Sequence, residues 1–317
     1  MWFVLSVSSA VLFGLAGLFM KVSQANKGNP HWLLFGLYVS GTAGFWVNSL
    51  WEGTLIWTSA PLWTAGILIG IGSAWGNYVF MKALEYGPAS LTSPLTNMNI
   101  VLIICMSFFI YHEPIAGAQL AGIGALLLAV VLISIRSKEA LTIRDGKWFW
   151  LVAAAIILFA IRNGGLKVTA ASGLANTPIL FYGYLLSAIW FGAAAWRSGK
   201  EAHASGSMTA SIPGHLPSKP AGSAQASPAS ADKPAAPQHA RRAGFSWGLL
   251  AGLFSYGGLQ LYSLALHSGP ANIVAPIFAT NGLVIAAGSI VLYRERLTRL
   301  QTAAMACLFV GLILVRI

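Results

Sequence analysis

Two stretches of the chain are near copies of one another: Ala83-Leu84-Glu85-Tyr86-Gly87-Pro88-Ala89-Ser90-Leu91-Thr92-Ser93-Pro94, and Ala265-Leu266-His267-Ser268-Gly269-Pro270-Ala271-Asn272-Ile273-Val274-Ala275-Pro276. Each ends one apolar run, turns through Gly-Pro-Ala and opens the next run, with a further proline six residues after the first. The offset of 182 continues downstream, pairing Asn99 with Asn281, Tyr111 with Tyr293, Glu113 with Glu295 and Gln119 with Gln301. Upstream an offset of 146 pairs Trp2-Phe3 with Trp148-Phe149, Leu12-Phe13 with Leu158-Phe159, and Lys21-Val22 with Lys167-Val168. The difference, 182 − 146 = 36, is mostly accounted for by a polar insertion in the second half. Internal repetition of this kind decides architecture.

Composition says where the repeat resides. Of 317 residues only 9% are charged and 56% are hydrophobic, against roughly 25% charged in soluble domains. Twelve Trp and sixteen Phe exceed what one water-soluble core of this length buries. The net charge of +11 comes from Lys and Arg beside apolar runs, not from a basic stripe with stacking aromatics, so nucleic acid is not expected as a partner. Cys105 and Cys307 lie inside apolar runs without metal-ligand or disulfide spacing. The first run ends at Lys21 without a basic leader or a small-residue cleavage site and reads as a retained helix.

About 20 apolar residues cross the hydrocarbon as a helix, and ten such runs occur: 2–20, 31–51, 62–85, 89–111, 115–135, 148–166, 178–196, 245–267, 271–293 and 298–316. The runs are too uniformly apolar for barrel strands. The expected fold is an all-α integral membrane protein of ten transmembrane helices in two five-helix repeats, 1–136 and 147–317. Five is odd, so the second repeat enters the membrane from the opposite side and the repeats are inverted, the arrangement of alternating-access transporters. Small residues four apart (Gly36/Ser40/Gly44, Gly66/Gly70/Ala74, Ala121/Ala125/Ala129) predict helix-packing seams. The stretch 197–244, dense in Ala, Ser, Pro and Gly, predicts a disordered loop.

The sequence resembles the EamA-type transporters of the drug/metabolite transporter superfamily. The resemblance is carried by Ala83-Leu84-Glu85-Tyr86-Gly87-Pro88-Ala89-Ser90 with Pro94, by Tyr111-His112-Glu113-Pro114 with Gln119, and by the second-half counterpart Arg294-Glu295-Arg296-Leu297-Thr298. It implies ten spans, duplication, and movement, often outward, of small organic solutes such as amino acids. Many relatives read Trp-Gly-x-Asn in the first helix of each half, where this chain has Phe13-Gly14-Leu15-Ala16 and Phe159-Ala160-Ile161-Arg162; an arginine common early in the second helix has no match near Leu37 to Ser40.

Polar groups inside apolar spans mark either a pathway or a helix contact. On an unbroken helix Thr92, Thr96 and Asn99 share one face, with Ser93 and Asn97 beside it, and the repeat offers Thr280 and Asn281. Pro94 and Pro276 predict matched kinks near a central site. Asn77-Tyr78, and Tyr256 with Gln260 one turn on, add groups that both give and accept hydrogen bonds. Each of these reads as cavity lining or as packing between helices. Arg162, followed by Asn163, is the one basic residue well inside a span; at about 7.5 Å from the Lys167 end it either recognises a substrate carboxylate or snorkels to the interface. Lys21 and Lys167 are matched helix ends, suited to anchoring or gating. None of the eight acids falls mid-span, which disfavours an antiporter built on a buried carboxylate; Glu113 and Glu295 are read as capping the helices that follow them. The His, Ser and Asp residues form no hydrolase set, and neither enzymatic activity, a metal nor a cofactor is expected.

Sixteen Lys and Arg fall in the loops of one face, against Lys167 and Arg316 on the other, which places both termini outside the cytoplasm; the resemblance implies the reverse. The expected protein is a multi-pass transporter of a bacterial inner (plasma) membrane that exports a small polar organic metabolite. A lipid-linked headgroup flippase and a non-transporting scaffold or receptor are the competing readings. Its partners are a small-molecule substrate and the lipid bilayer, and a homodimer is compatible with this reading.

Overall fold

A computed structural model describes residues 1–112, 116–134, 145–209, 237–269, 271–294 and 299–314, and the regular structure in them is helical throughout. The helices are α1 (Trp2–Ala25), α2 (Pro30–Trp51), α3 (Ala60–Tyr86), α4 (Ala89–Thr96), α5 (Asn99–Tyr111), α6 (Gly117–Ser134), α7 (Lys147–Ala171), α8 (Asn176–Thr209), α9 (Pro237–Ser268), α10 (Ala271–Ala279), α11 (Asn281–Tyr293) and α12 (Arg299–Leu314). Among the described residues seven segments are long and apolar enough to cross a membrane, with Ile273–Tyr293 running through α10 and α11. The chain is an all-α membrane protein, as lipid demands of a backbone whose polar groups must be satisfied internally.

Helix boundaries repeat at the sequence offsets. Ala25 and Ala171, the last residues of α1 and α7, lie 146 apart, and Asn99–Tyr111 becomes Asn281–Tyr293 at 182. Asn29 caps α2 through its side-chain oxygen, which accepts from the His31 and Trp32 amides, while Pro30 supplies the fixed φ of a first turn. Just before α7, whose N-cap is Gly146, Asp145 accepts from the Lys147 amide at 3.1 Å; this bond and the Lys147 charge hold its carboxyl below the usual carboxylate range.

Two sequence expectations change. The prolines leave their helices unbroken at their own positions: the breaks follow at Asn97-Met98 and at Thr280, three and four residues downstream. There the chain tightens into i to i+3 bonds, Met98 N–H to Leu95 O at 2.9 Å and Thr280 N–H to Ile277 O at 3.1 Å. The polar stretch is also more helical at its ends than composition suggests, because α8 continues to Thr209 and α9 begins at Pro237; residues 210–236, like Glu113 and Glu295, lie outside the described residues.

Packing runs between the two halves of the chain. α1 lies along α9 and α7 along α3; α2 packs on α8 and α9, α3 on α8, and α6 on α12. Lipid supplies no hydrophobic force between helices, so close backbone approach must do the work. A Cβ on Gly66 or Gly70 would press on Tyr182 and the Ile179 carbonyl or on Gly183, and one on Gly248 or Gly252 on the Leu33 or Leu37 carbonyl. These are the same contacts shifted by the two offsets: 66 to 248, 70 to 252, 33 to 179 and 37 to 183.

Candidate functional site

Where the two halves meet, matched residues face each other. The phenols of Tyr38 and Tyr184, 146 apart, pack edge to face at 5.0 Å. Tyr38 shares a 3.3 Å hydrogen bond with Ser73, and Tyr184 one of 2.7 Å with Ser255, a serine pair 182 apart. Asn77 donates to the Tyr38 hydroxyl at 3.0 Å. Sequence reasoning passed over both tyrosines and both serines, although their identity at the two offsets was a legible signal.

Asn99 and Asn281 are equivalent in the same way. Each sits at the start of the helix after a break and turns its amide N–H back to the carbonyl three residues earlier, Thr96 at 2.8 Å and Phe278 at 2.7 Å. These bonds satisfy carbonyls that a helix end leaves orphaned. Their oxygens reach in different directions, Asn281 accepting from Asn97 at 3.2 Å and Asn99 from Asn163 at 3.1 Å.

Arg162 has no counterpart, because the matched positions to Arg162 and Asn163 are Ala16 and Gly17. Its side chain does not snorkel: it is 2% exposed, donates Nε–H to Asn163 Oδ1 at 2.9 Å, and packs its guanidinium 4.8 Å from the ring of Phe13 and 4.6 Å from that of Phe159. Those phenylalanines are themselves 146 apart, so one from each half covers the cation. The phenols of Tyr38, Tyr184 and Tyr262 lie within electrostatic range. Nη1 is buried without a hydrogen-bond partner. The two rings and the Asn163 amide are the neutral groups that offset the cost of burying this guanidinium.

A small cavity of about 30 Å³ lies against this cation, lined by Asn77, Ser93, Thr96, Asn97, Arg162, Ser255 and Asn281 among apolar neighbours, with no acidic residue among the described residues. It has room for a water or two and none for a metabolite. Of the residues singled out in the sequence, Asn77, Ser93, Thr96, Asn97, Arg162 and Asn281 line it, and Asn99 and Asn163 stand behind them through the bonds above. The rest lie elsewhere. Thr280 bonds the Ile277 carbonyl at 2.6 Å, the Lys167 ammonium lies 4.9 Å from the Tyr111 ring, and Lys21 is half-buried near the end of α1. Thr92 and Thr96 keep their shared face on α4, but Asn99 leaves it because α4 stops at Thr96; the Thr92 hydroxyl donates to Pro88 O at 2.8 Å and accepts from the Trp148 indole at 3.0 Å.

Tyr256, Gln260 and Tyr78 belong to the two ends of the bundle. Gln260 donates to Thr177 at 3.1 Å and to the exposed carboxylate of Glu52 at 3.2 Å, which also accepts from Asn48. Tyr256 packs on Gly44 and, edge to face at 4.9 Å, on Phe45, beside this cluster. The matched positions to Thr177, Gln260 and Glu52 are His31, Tyr78 and Ser198, near the other end of α2. These three line one cavity of about 410 Å³ with Trp75, Trp190, Phe191 and Arg197. One set of positions is joined by hydrogen bonds, and the matched set lines a cavity.

The fold and the site define a helical membrane protein whose polar groups turn inward around a small central cavity. Residues 1–135 and 227–317 match the EamA-like transporter family, and the chain belongs to it. It is a multi-pass membrane transporter and not an enzyme. It is similar to the probable 4-amino-4-deoxy-L-arabinose-phosphoundecaprenol flippase subunit ArnE of Serratia proteamaculans (strain 568), at 30% identity over 82 residues, which are 26% of this chain and 64% of that protein. The match thus spans just under two thirds of that relative. A solved structure, described only as a crystal structure of protein, is similar with a TM-score of 0.58 at 15% identity, covering 97% of each chain, a likeness of fold.

Proposed function

We propose that the protein is a secondary transporter of ten spans, in which two inverted five-helix halves alternate access to a central site for a small polar organic metabolite such as an amino acid. In this count α4 with α5 and α10 with α11 are each one broken span, and the organelle-free setting is a bacterial plasma membrane. One observation carries the reading: positions that the repeat makes equivalent are closed at one end, as Glu52, Gln260 and Thr177, and open at the other, as Ser198, Tyr78 and His31. Exchanging the conformations of the halves exchanges which end is open, without a new fold. The open end is on the basic face, the side that takes up solute when the protein exports.

The test is flux. Proteoliposomes preloaded with labelled amino acids should release them down a gradient. Glu52→Cys with Gln260→Cys, in a Cys105→Ser, Cys307→Ser background, should stop release on oxidation and restore it on reduction; release that continues through the cross-link removes this gate. The similarity to a flippase subunit, together with lipid-exposed Trp75 and Trp190 at the rim of the open cavity, supports flipping of a lipid-linked headgroup as a second reading, in which fluorescent-lipid translocation replaces solute release.

A further inference from the structure

We propose that the transported molecule carries one anionic group, a carboxylate or a phosphate, and that Arg162 Nη1 is its binding partner, screened by Phe13 and Phe159 when the site is empty. This deepens the transport reading and rests on the central cavity being the transport site. The argument begins with charge. Among the described residues Arg162 is the only ionisable side chain lining that cavity and its buried Nη1 has no hydrogen-bond partner, and a guanidinium stays protonated in any protein environment. A neutral ligand leaves this cation uncompensated and a cationic one adds repulsion; a carboxylate or phosphate oxygen supplies the charge-assisted bond the site lacks.

The repeat sets the number of anionic groups. At the matched positions the first half carries Ala16 and Gly17, so the unit offers one guanidinium on an otherwise paired surface and recognises one anionic group. The covering rings come one from each half, so separation of the halves uncovers the cation at the moment the cavity widens. Asn163 holds the guanidinium through Nε and is held in turn by Asn99, which leaves Nη1 as the end presented to solute.

Thermal melting of the full-length protein in lipid nanodiscs tests this, with butyrate, its neutral isostere butyramide and inorganic phosphate as probes, and with discs made with and without undecaprenyl phosphate. A ligand that binds the folded state raises Tm by mass action. Butyrate or phosphate should raise the wild-type Tm where butyramide does not; a shift produced only by undecaprenyl phosphate identifies the anion as a lipid headgroup. Arg162→Met should abolish the anion shift and raise the ligand-free Tm by a few degrees, since it removes a buried unpaired charge, a gain that a structural arginine would not give. Arg162→Lys, which keeps the charge without the planar fork, should retain a reduced shift. The proposal is overturned if no anion shifts the wild type, or if the anion shift survives in Arg162→Met. Solute flux separates the two levels: Arg162-dependent anion binding without flux overturns the transport reading alone, and flux of neutral solutes indifferent to Arg162→Met overturns the anion site alone.

Discussion

The two ends of the bundle are built from equivalent positions and hold different chemistry. At one end Gln260 spans Thr177 and Glu52, a compact amide, hydroxyl and carboxylate whose donors and acceptors meet. At the other, His31 and Tyr78 stack at 5.8 Å and leave an aromatic-walled opening with Ser198 on its rim. Small polar side chains close a helix crossing because they bond at short range; rings of this size hold the same crossing apart. A shared backbone plan therefore carries different side-chain contacts at its two ends.

The largest effect is expected where both ends hinge. Gly252→Leu places side-chain atoms where Gly252 now meets the Leu37 carbonyl, and backbone cannot yield as a rotamer can; the loss should reach or exceed about 3 kcal/mol, the upper part of the usual overpacking range, read as aggregation in size-exclusion chromatography. Next is a transplant: His31→Thr, Tyr78→Gln and Ser198→Glu together carry the closed end's chemistry to the open end. Labelling of a cysteine introduced at Ala194, which lines the open cavity, should fall several-fold, and undiminished labelling would show that side-chain identity does not set closure. Glu52→Gln is milder because the carboxylate is exposed; loosening of the closed end by roughly 0.5–1 kcal/mol should appear as a two- to fivefold rise in labelling of Thr177→Cys. A symmetry test closes the series at a comparable size. Tyr38→Phe and Tyr184→Phe should each cost about 1 kcal/mol in chemical denaturation, with Tyr38→Phe the costlier because Asn77 also loses its acceptor.

Much of the fold was legible in hydropathy and repetition, since apolar runs of spanning length in lipid have few alternatives to helix. The matched helix ends of α5 and α11 follow from matched residues. The site was less legible because its residues act across the halves. Tyr256 and Gln260 do share a helix face, but that face turns to Phe45 and Thr177 at the closed end. Phe13 and Phe159 looked like departures from a family pattern, and the fold sets both on Arg162. Asn99 and Asn281 stood out as polar residues in apolar runs, while their bonds to carbonyls three residues back depend on breaks that the prolines announced a few positions early.

The sequence by itself determined that the chain lives in lipid, that its halves repeat, and that one arginine lies deep within a span, because hydration cost and periodicity act locally along the chain. Only the tertiary structure decided that α1 packs on α9 and α7 on α3, that Arg162 is covered by one ring from each half instead of reaching the interface, and that equivalent ends differ in closure. Those outcomes depend on which helix faces meet, and in lipid that is set by the fit of small residues and buried polar groups between distant segments.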